Sequence, residues 1–198
     1  MWHPNKVLAI SPHADDIELG CGGTLRKWSQ KAQIKSLIFS TLKLPRSEEI
    51  KEAHKKLNIF DVTVLDYENR IFSEKRQEIL QILTDMNREF KPDCVLIPTS
   101  TDVHQDHQVI HNEALRAFKH TTILGYEDVW NMYSSNLRLH IKLSPEDIRA
   151  KYESALSHKT QASRDYMNVA FITGLATMRG MAIGSDYAEA FEVIRWLA

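Results

Sequence analysis

Short apolar runs alternate with longer helix-patterned segments through residues 7–118, and that alternation leaves few folds open. Residues 7–11 read as a buried strand followed by a helix over about 19–30. Residues 34–40 form a second run, with a helix opening near Ser47. Residues 62–65 form a third, followed by a long helix over about 73–90 in which Ile79, Leu80, Ile82, Leu83 and Met86 recur at helical spacing. Residues 94–98 form a fourth, followed by a helix over about 105–118. Strands that are apolar throughout and separated by helices predict a parallel sheet covered on both faces. The pattern then changes. Leu137, Leu139, Ile141 and Leu143 alternate with polar residues, as in a half-exposed strand. Ser144-Pro145 is an N-cap and first-turn pair for a helix through about 157. A further helix is expected over 164–178 and a closing strand, with a short helix as the alternative, over 190–196. The expected fold is α/β, a single Rossmann-like, doubly wound and mostly parallel sheet spanning 1–198 as one domain.

Charge and composition exclude several classes. The 198 residues carry a formal net charge of -1, with 43% hydrophobic and 26% charged residues. No global field draws such a chain to nucleic acid or to an anionic membrane. No stretch approaches the roughly 20 apolar residues of a membrane span. The N-terminal run is too short for a secretory signal. The two cysteines, Cys21 and Cys94, make neither a disulfide framework nor a cysteine-rich zinc site. A cytoplasmic enzyme is the expectation, with the nine histidines as candidate metal ligands.

Doubly wound sheets usually place the first and fourth strands side by side and bind ligands in the crevice at their carboxyl ends. Here the segment after strand one reads Ser11-Pro12-His13-Ala14-Asp15-Asp16-Ile17-Glu18, and the segment after strand four reads Thr99-Ser100-Thr101-Asp102-Val103-His104-Gln105-Asp106-His107. Carboxylates crowded into a partly desolvated crevice repel one another, and a divalent cation removes the conflict. Imidazole and carboxylate form the ligand set of catalytic zinc, although iron accepts the same donors. His13 and Asp16, three apart in a tight turn, can aim at one point, with His107 as third ligand across the crevice. Asp15 points elsewhere and is free to take a proton from water. His104 can stabilise or protonate a tetrahedral intermediate. Asp106 is placed to orient an imidazole. Glu18 is read equally as a helix-dipole partner or as an outer support of the site. The remaining histidines are expected at the surface or at helix caps, with His158 the one with any motif context. Glycines 20, 22 and 23 follow strand one as a dinucleotide fingerprint would, but the spacing fails; close helix–strand packing is the better reading.

The stretch from Pro12 to Leu25, Pro-His-Ala-Asp-Asp-Ile-Glu-Leu-Gly-Cys-Gly-Gly-Thr-Leu, closely resembles the opening motif of the PIG-L/LmbE-like deacetylases, and His104-Gln105-Asp106-His107 resembles their second motif. Arg46-Ser47-Glu48-Glu49, Leu65-Asp66-Tyr67, Tyr126-Glu127, Ser157-His158-Lys159-Thr160-Gln161 and Tyr187-Ala188-Glu189-Ala190-Phe191 are similar to further family segments. The resemblance implies His13, Asp16 and His107 as zinc ligands, Asp15 as general base and His104 as the group assisting the intermediate or the leaving amine. Ala14 departs from the family's usual proline without removing a reacting group. Arg46 resembles a residue near the family's substrate pocket, where it would bind sugar hydroxyls or an anion; an ion pair with Glu49 is the alternative. The implied reaction is hydrolysis of an N-acetyl group from an amino sugar or sugar conjugate. The rivals are a zinc amidase acting on another N-acyl compound, a non-catalytic sugar- or metal-binding relative, and a nucleotide-binding protein. A homo-oligomer is left open. Specificity is expected in the loops 42–47, 69–73 and 128–136.

Overall fold

The computed structural model describes residues 2–41 and 46–197; residues 42–45 of the expected specificity loop 42–47 lie outside them. Seven strands form one sheet. They are β1 (Lys6–Ser11), β2 (Gln33–Ile38), β3 (Asp61–Val64), β4 (Cys94–Pro98), β5 (Thr122–Tyr126), β6 (Leu137–Leu143) and β7 (Tyr187–Arg195). The helices are α1 (Asp16–Trp28), α2 (Arg46–Lys56), α3 (Arg76–Phe90), α4 (Gln105–Ala117), α5 (Pro145–Ala155) and α6 (Val169–Met181). Sheet order is β3-β2-β1-β4-β5-β7-β6. Neighbours from β3 to β5 run parallel, β7 is antiparallel to β5, and β6 is antiparallel to β7. The first and fourth strands are adjacent, so the crossover direction reverses between them and opens a crevice at their carboxyl ends.

Period-two alternation sends successive side chains of the central strands to opposite faces. Val7, Ala9, Cys94 and Leu96 join Ile17, Leu25 and Ala150 in one core. Leu8, Ile10, Val95 and Ile97 join Ile79, Leu83 and Ile110 in the other. Burial on both faces explains why these strands read as continuous apolar runs.

Three local expectations are corrected. First, α1 opens at Asp16 rather than near Leu19. The Asp16 carboxylate accepts the His13 N–H at 2.6 Å, and this turn feeds directly into the helix. The glycines lie inside α1, as they do in the expected helix, now with a full turn before them. A Cβ on Gly20 would collide with the Tyr126 ring, and one on Gly23 would come within 2.5 Å of Leu143. That is the packing role expected of them, and it leaves no cradle for a pyrophosphate. Second, α6 opens at Val169, capped by Asn168, whose side chain accepts the Phe171 N–H at 2.8 Å; residues 164–168 precede it. Third, β5 has no counterpart in the sequence reading. Its Gly125 weakens a strand signal, yet that glycine is needed because a Cβ there would sit 3.0 Å from the Thr99 Cα.

Inside α1, Cys21 leaves helical geometry (φ -143°, ψ 16°), so the second half of the helix presents fresh N–H groups. Glu189 of β7 accepts those of Gly23 at 2.9 Å and Thr24 at 2.6 Å. Lys151 of α5 pairs with the same carboxylate at 2.6 Å, and both side chains are 4% exposed. A buried charge cluster thus ties α1, α5 and β7 beneath the crevice.

Candidate active site

The turn after β1 is fixed by its neighbours: Ser11 Oγ donates to the His13 carbonyl, and the Ser40 N–H donates to the Pro12 carbonyl at 3.0 Å. Across the crevice, the loop after β4 enters α4 with His104 as N-cap, its Nδ1 accepting the Asp106 N–H at 3.2 Å. These two anchored segments bring three donor atoms together. His13 Nδ1 lies 3.1 Å from His107 Nε2, and Asp16 Oδ2 lies 3.4 Å from each of those nitrogens. Four donors held about 2.0–2.1 Å from a tetrahedral ion sit about 3.3–3.4 Å apart, so this triangle has the dimensions of one face of such a site. His104 adds a nitrogen within 4.8 Å of those of His13 and His107, and Asp128 adds a carboxylate oxygen within 4.8 Å of donor atoms of Asp16 and His107.

The outward nitrogens are held as well. His13 Nε2 faces Asp106 Oδ2 at 3.1 Å, and His107 Nδ1 faces Asp102 Oδ2 at 2.7 Å. Carboxylates in these positions fix ring orientation and tautomer and raise the basicity of the inward nitrogen. Asp106 stands against the His13 imidazole. Asp102 does the same for His107 and was passed over, although it stands in the same acid-rich loop. Asp128 was also passed over. It is fully buried just past β5, 3.6 Å from His107 Nδ1, with both oxygens lacking a hydrogen-bond partner. Recognising β5 would have placed Glu127-Asp128 at the carboxyl end of the strand beside β4.

Electrostatics follow from the crowding. Burial pushes the His13 imidazole down, but the Asp16 charge and hydrogen bonds to Asp106 and Asp16 raise it to about 9. Burial works against the Asp16 carboxylate, and the His107 and His13 charges nevertheless hold it well below the usual range. Burial, with the charge of Asp16, pushes Asp15 up to about 6. Burial and the charges of His107 and His13 hold His104 below the ordinary imidazole value. Asp15 caps no helix N–H with its side chain and lines a cavity of about 480 Å³ together with His13, Asp16, His104 and His107. Arg46 lines the same cavity. The alternative ion pair with Glu49 is not formed: both Glu49 oxygens accept from Thr160, from its N–H at 2.9 Å and its hydroxyl at 2.7 Å.

Glu18 stands in the first turn of α1 but is not solvated there. It is fully buried, with Oε1 3.1 Å from His54 Nδ1 and 3.5 Å from His158 Nε2. Burial opposes its ionisation, yet the two histidines bring it down to about 2. The expectation of surface or cap histidines therefore fails at His54 and at His111, which is buried with Nδ1 2.9 Å from the Pro98 carbonyl, while His158 does stand at a cap position, before the short helix Lys159–Gln161, but is buried.

A sheet with a switch-point crevice, lined by a triangle of imidazole and carboxylate donors with a separate buried acid beside it, defines the class: an α/β protein with a small-molecule cavity and a donor set of the kind that can hold a cation. Residues 8–118 match the PIG-L family, described as GlcNAc-PI de-N-acetylase, and the chain belongs to that family. An Escherichia coli protein called uncharacterized deacetylase YaiS is 27% identical over 167 residues, covering 78% of this chain and 90% of the relative. The structure of N,N'-diacetylchitobiose deacetylase from Pyrococcus horikoshii, complexed with an inhibitor, superposes with a TM-score of 0.78 at 20% identity, covering 96% of this chain and 84% of that one. GalB, the 4-carboxy-2-hydroxymuconate hydratase from Pseudomonas putida, superposes with a TM-score of 0.79 at 16% identity, covering 98% of each chain. The fold is thus shared by enzymes with different reactions, and function must be argued from the site.

Proposed function

We propose that this chain is a metal-dependent hydrolase that removes the acetyl group from an N-acetylated amino sugar or sugar conjugate. The observation that carries the reading is the triangle of His13 Nδ1, Asp16 Oδ2 and His107 Nε2 beside Asp15. The donor set suits zinc, with ferrous iron as the other candidate. When bound, such an ion supplies Lewis acidity to the acyl carbonyl and to water.

The chain's own groups divide the remaining work. Asp15, raised to about 6, is poised as a base close to neutral pH and takes the proton of the attacking water. His104 accepts the Asp106 N–H at Nδ1, so its neutral form carries hydrogen on Nε2 and donates to the developing oxyanion. Asp106 and Asp102 keep the His13 and His107 rings in register. As the C–N bond breaks, protonated Asp15 returns its proton to the leaving nitrogen, giving acetate and a free amine. Arg46 at the cavity wall binds the sugar conjugate. A cytoplasmic setting belongs to the same reading. Among the described residues no helix is long and apolar enough to cross a membrane.

The test is acetate release from a panel of N-acetylhexosamine derivatives, with metal analysis and a chelator control. Release that stops on chelation and returns with zinc or ferrous iron supports the proposal. Release that ignores the chelator, or no release from any sugar by metal-loaded protein, overturns it.

A further inference from the structure

The acids of the cavity lie at its floor, while its walls carry the opposite charge. Arg46, Arg70 and Arg164 line it from three separate segments: the first residue of α2, the loop after β3, and the stretch before α6. Among the described residues none of the three forms an ion pair, and residues 42–45 contain no acid that could serve Arg46. Elsewhere in the molecule some guanidinium groups find carboxylates, Arg76 and Arg116 on Glu113, Arg88 on Asp85 and Arg179 on Glu127, while Arg138 and Arg195 bind the neutral oxygens of Asn136 and Phe118. The acids that line the cavity are Asp15 and Asp16, which the proposed chemistry already uses.

Arg70 is placed at a conformational cost. Its φ of 71° is uncommon for a residue with a side chain. The conformation is held from both sides: the Arg70 N–H donates to Asp106 Oδ2 at 2.7 Å, and its carbonyl accepts from Gln105 Nε2 at 2.7 Å. The carboxylate that orients His13 thus also fixes the backbone carrying a wall guanidinium. Opposite polarity comes from Trp130 and Tyr166, whose rings stack at 4.0 Å with 14° between planes on the same cavity wall. Such a face suits the apolar side of a sugar ring.

We propose that the substrate carries an anionic group, carboxylate or phosphate, in addition to its N-acetyl group, and that Arg46, Arg70 and Arg164 hold that anion while the sugar ring lies against Trp130 and Tyr166. Guanidinium forks match both oxyanions in geometry and charge. The N-acetyl part of the statement rests on the deacetylase reading; the anion part rests on binding alone and is tested apart from turnover.

The experiment measures calorimetric binding of neutral methyl N-acetylglucosaminide, the 1- and 6-phosphates of N-acetylglucosamine, and its carboxymethyl glycoside. Each is run with zinc-loaded and with chelator-treated protein, and acetate release is followed on the same panel. At least one anionic compound should bind about tenfold or more tightly than the neutral one, in both metal states, with the preference shrinking as salt rises. In the Arg70→Gln/Arg164→Gln double variant, whose replaced side chains are exposed, the preference should fall toward unity. The phosphate and carboxylate arms identify which anion is taken. Equal binding of all compounds, a preference present only with zinc, or a preference that survives the double variant would each overturn the inference. Anion preference without acetate release would sink the deacetylase reading and leave this one standing; release without preference would do the reverse.

Discussion

At the scale of single residues, the site is a set of groups whose ionisation is decided by neighbours. Asp15→Asn should lower acetate release by about 10²–10⁴-fold, the range of a lost general base, while the bound-metal content stays at the wild-type level. Loss of metal in that variant would show instead that Asp15 is a ligand. Asp102→Ala frees the outer nitrogen of His107 and should weaken metal affinity by about 10–100-fold, read by competition with a chromophoric chelator. Glu18 gives a pH prediction. Its pKa is about 2 in the folded chain, below its ordinary value of 4.5. Its stabilisation is therefore present above about pH 4.5 and is lost as pH falls toward 2, an effect on the order of 3 kcal/mol. Urea melts of metal-free protein between pH 3 and about 6 should show this slope, and Glu18→Gln should flatten it. The groups facing Glu18 are His54, His158 and, through His158, Asp15. His13, Asp15, Asp16, His104, Asp106 and His107 were all legible in the sequence because they crowd into two short loops. The individual parts of Asp128, Arg70 and Arg164 were not: the first two stood only within the expected specificity loops 128–136 and 69–73, and Arg164 only at the start of an expected helix.

At the scale of elements, α1 is the joint between fold and site. Its first turn carries Asp16, its middle breaks at Cys21, and its second half begins on Glu189. Removing that carboxylate leaves Lys151 buried without a partner, so Glu189→Ala should cost about 3–5 kcal/mol in urea unfolding. Glu189→Ala combined with Lys151→Met should recover part of the loss. A cost under about 1 kcal/mol for the single variant would mean the pair does not hold α1. The strands with pure apolar runs and the Ser144-Pro145 start of α5 declared themselves in the sequence; the return bond, in which Asp147 accepts the Ser144 N–H at 2.9 Å, did not. The five residues of β5 did not, since their glycine reads as a loop residue until Thr99 is seen packed against it.

At the scale of the whole molecule, the site links stability to the metal. An ion that binds only the folded chain stabilises it by about 2.7 kcal/mol at a free concentration 100 times Kd, which for a chain of this length raises Tm by roughly 5–10 °C. Thermal melts with and without zinc should show that rise, and His107→Ala should abolish it. An unchanged midpoint would contradict a site formed only on folding.

The sequence alone determined the alternation of strand and helix, and hence a sheet buried on both faces with β1 beside β4. It also determined the chemistry loaded into the loops that follow those strands, because periodicity and residue type are local properties. The tertiary structure decided which atoms meet. The facing of His13 Nδ1, Asp16 Oδ2 and His107 Nε2, the buried Glu18 between two histidines and the unpaired guanidinium groups of the cavity wall depend on segments far apart in the chain. Only packing brings such segments within the few ångströms over which hydrogen bonds, ion pairs and desolvation act.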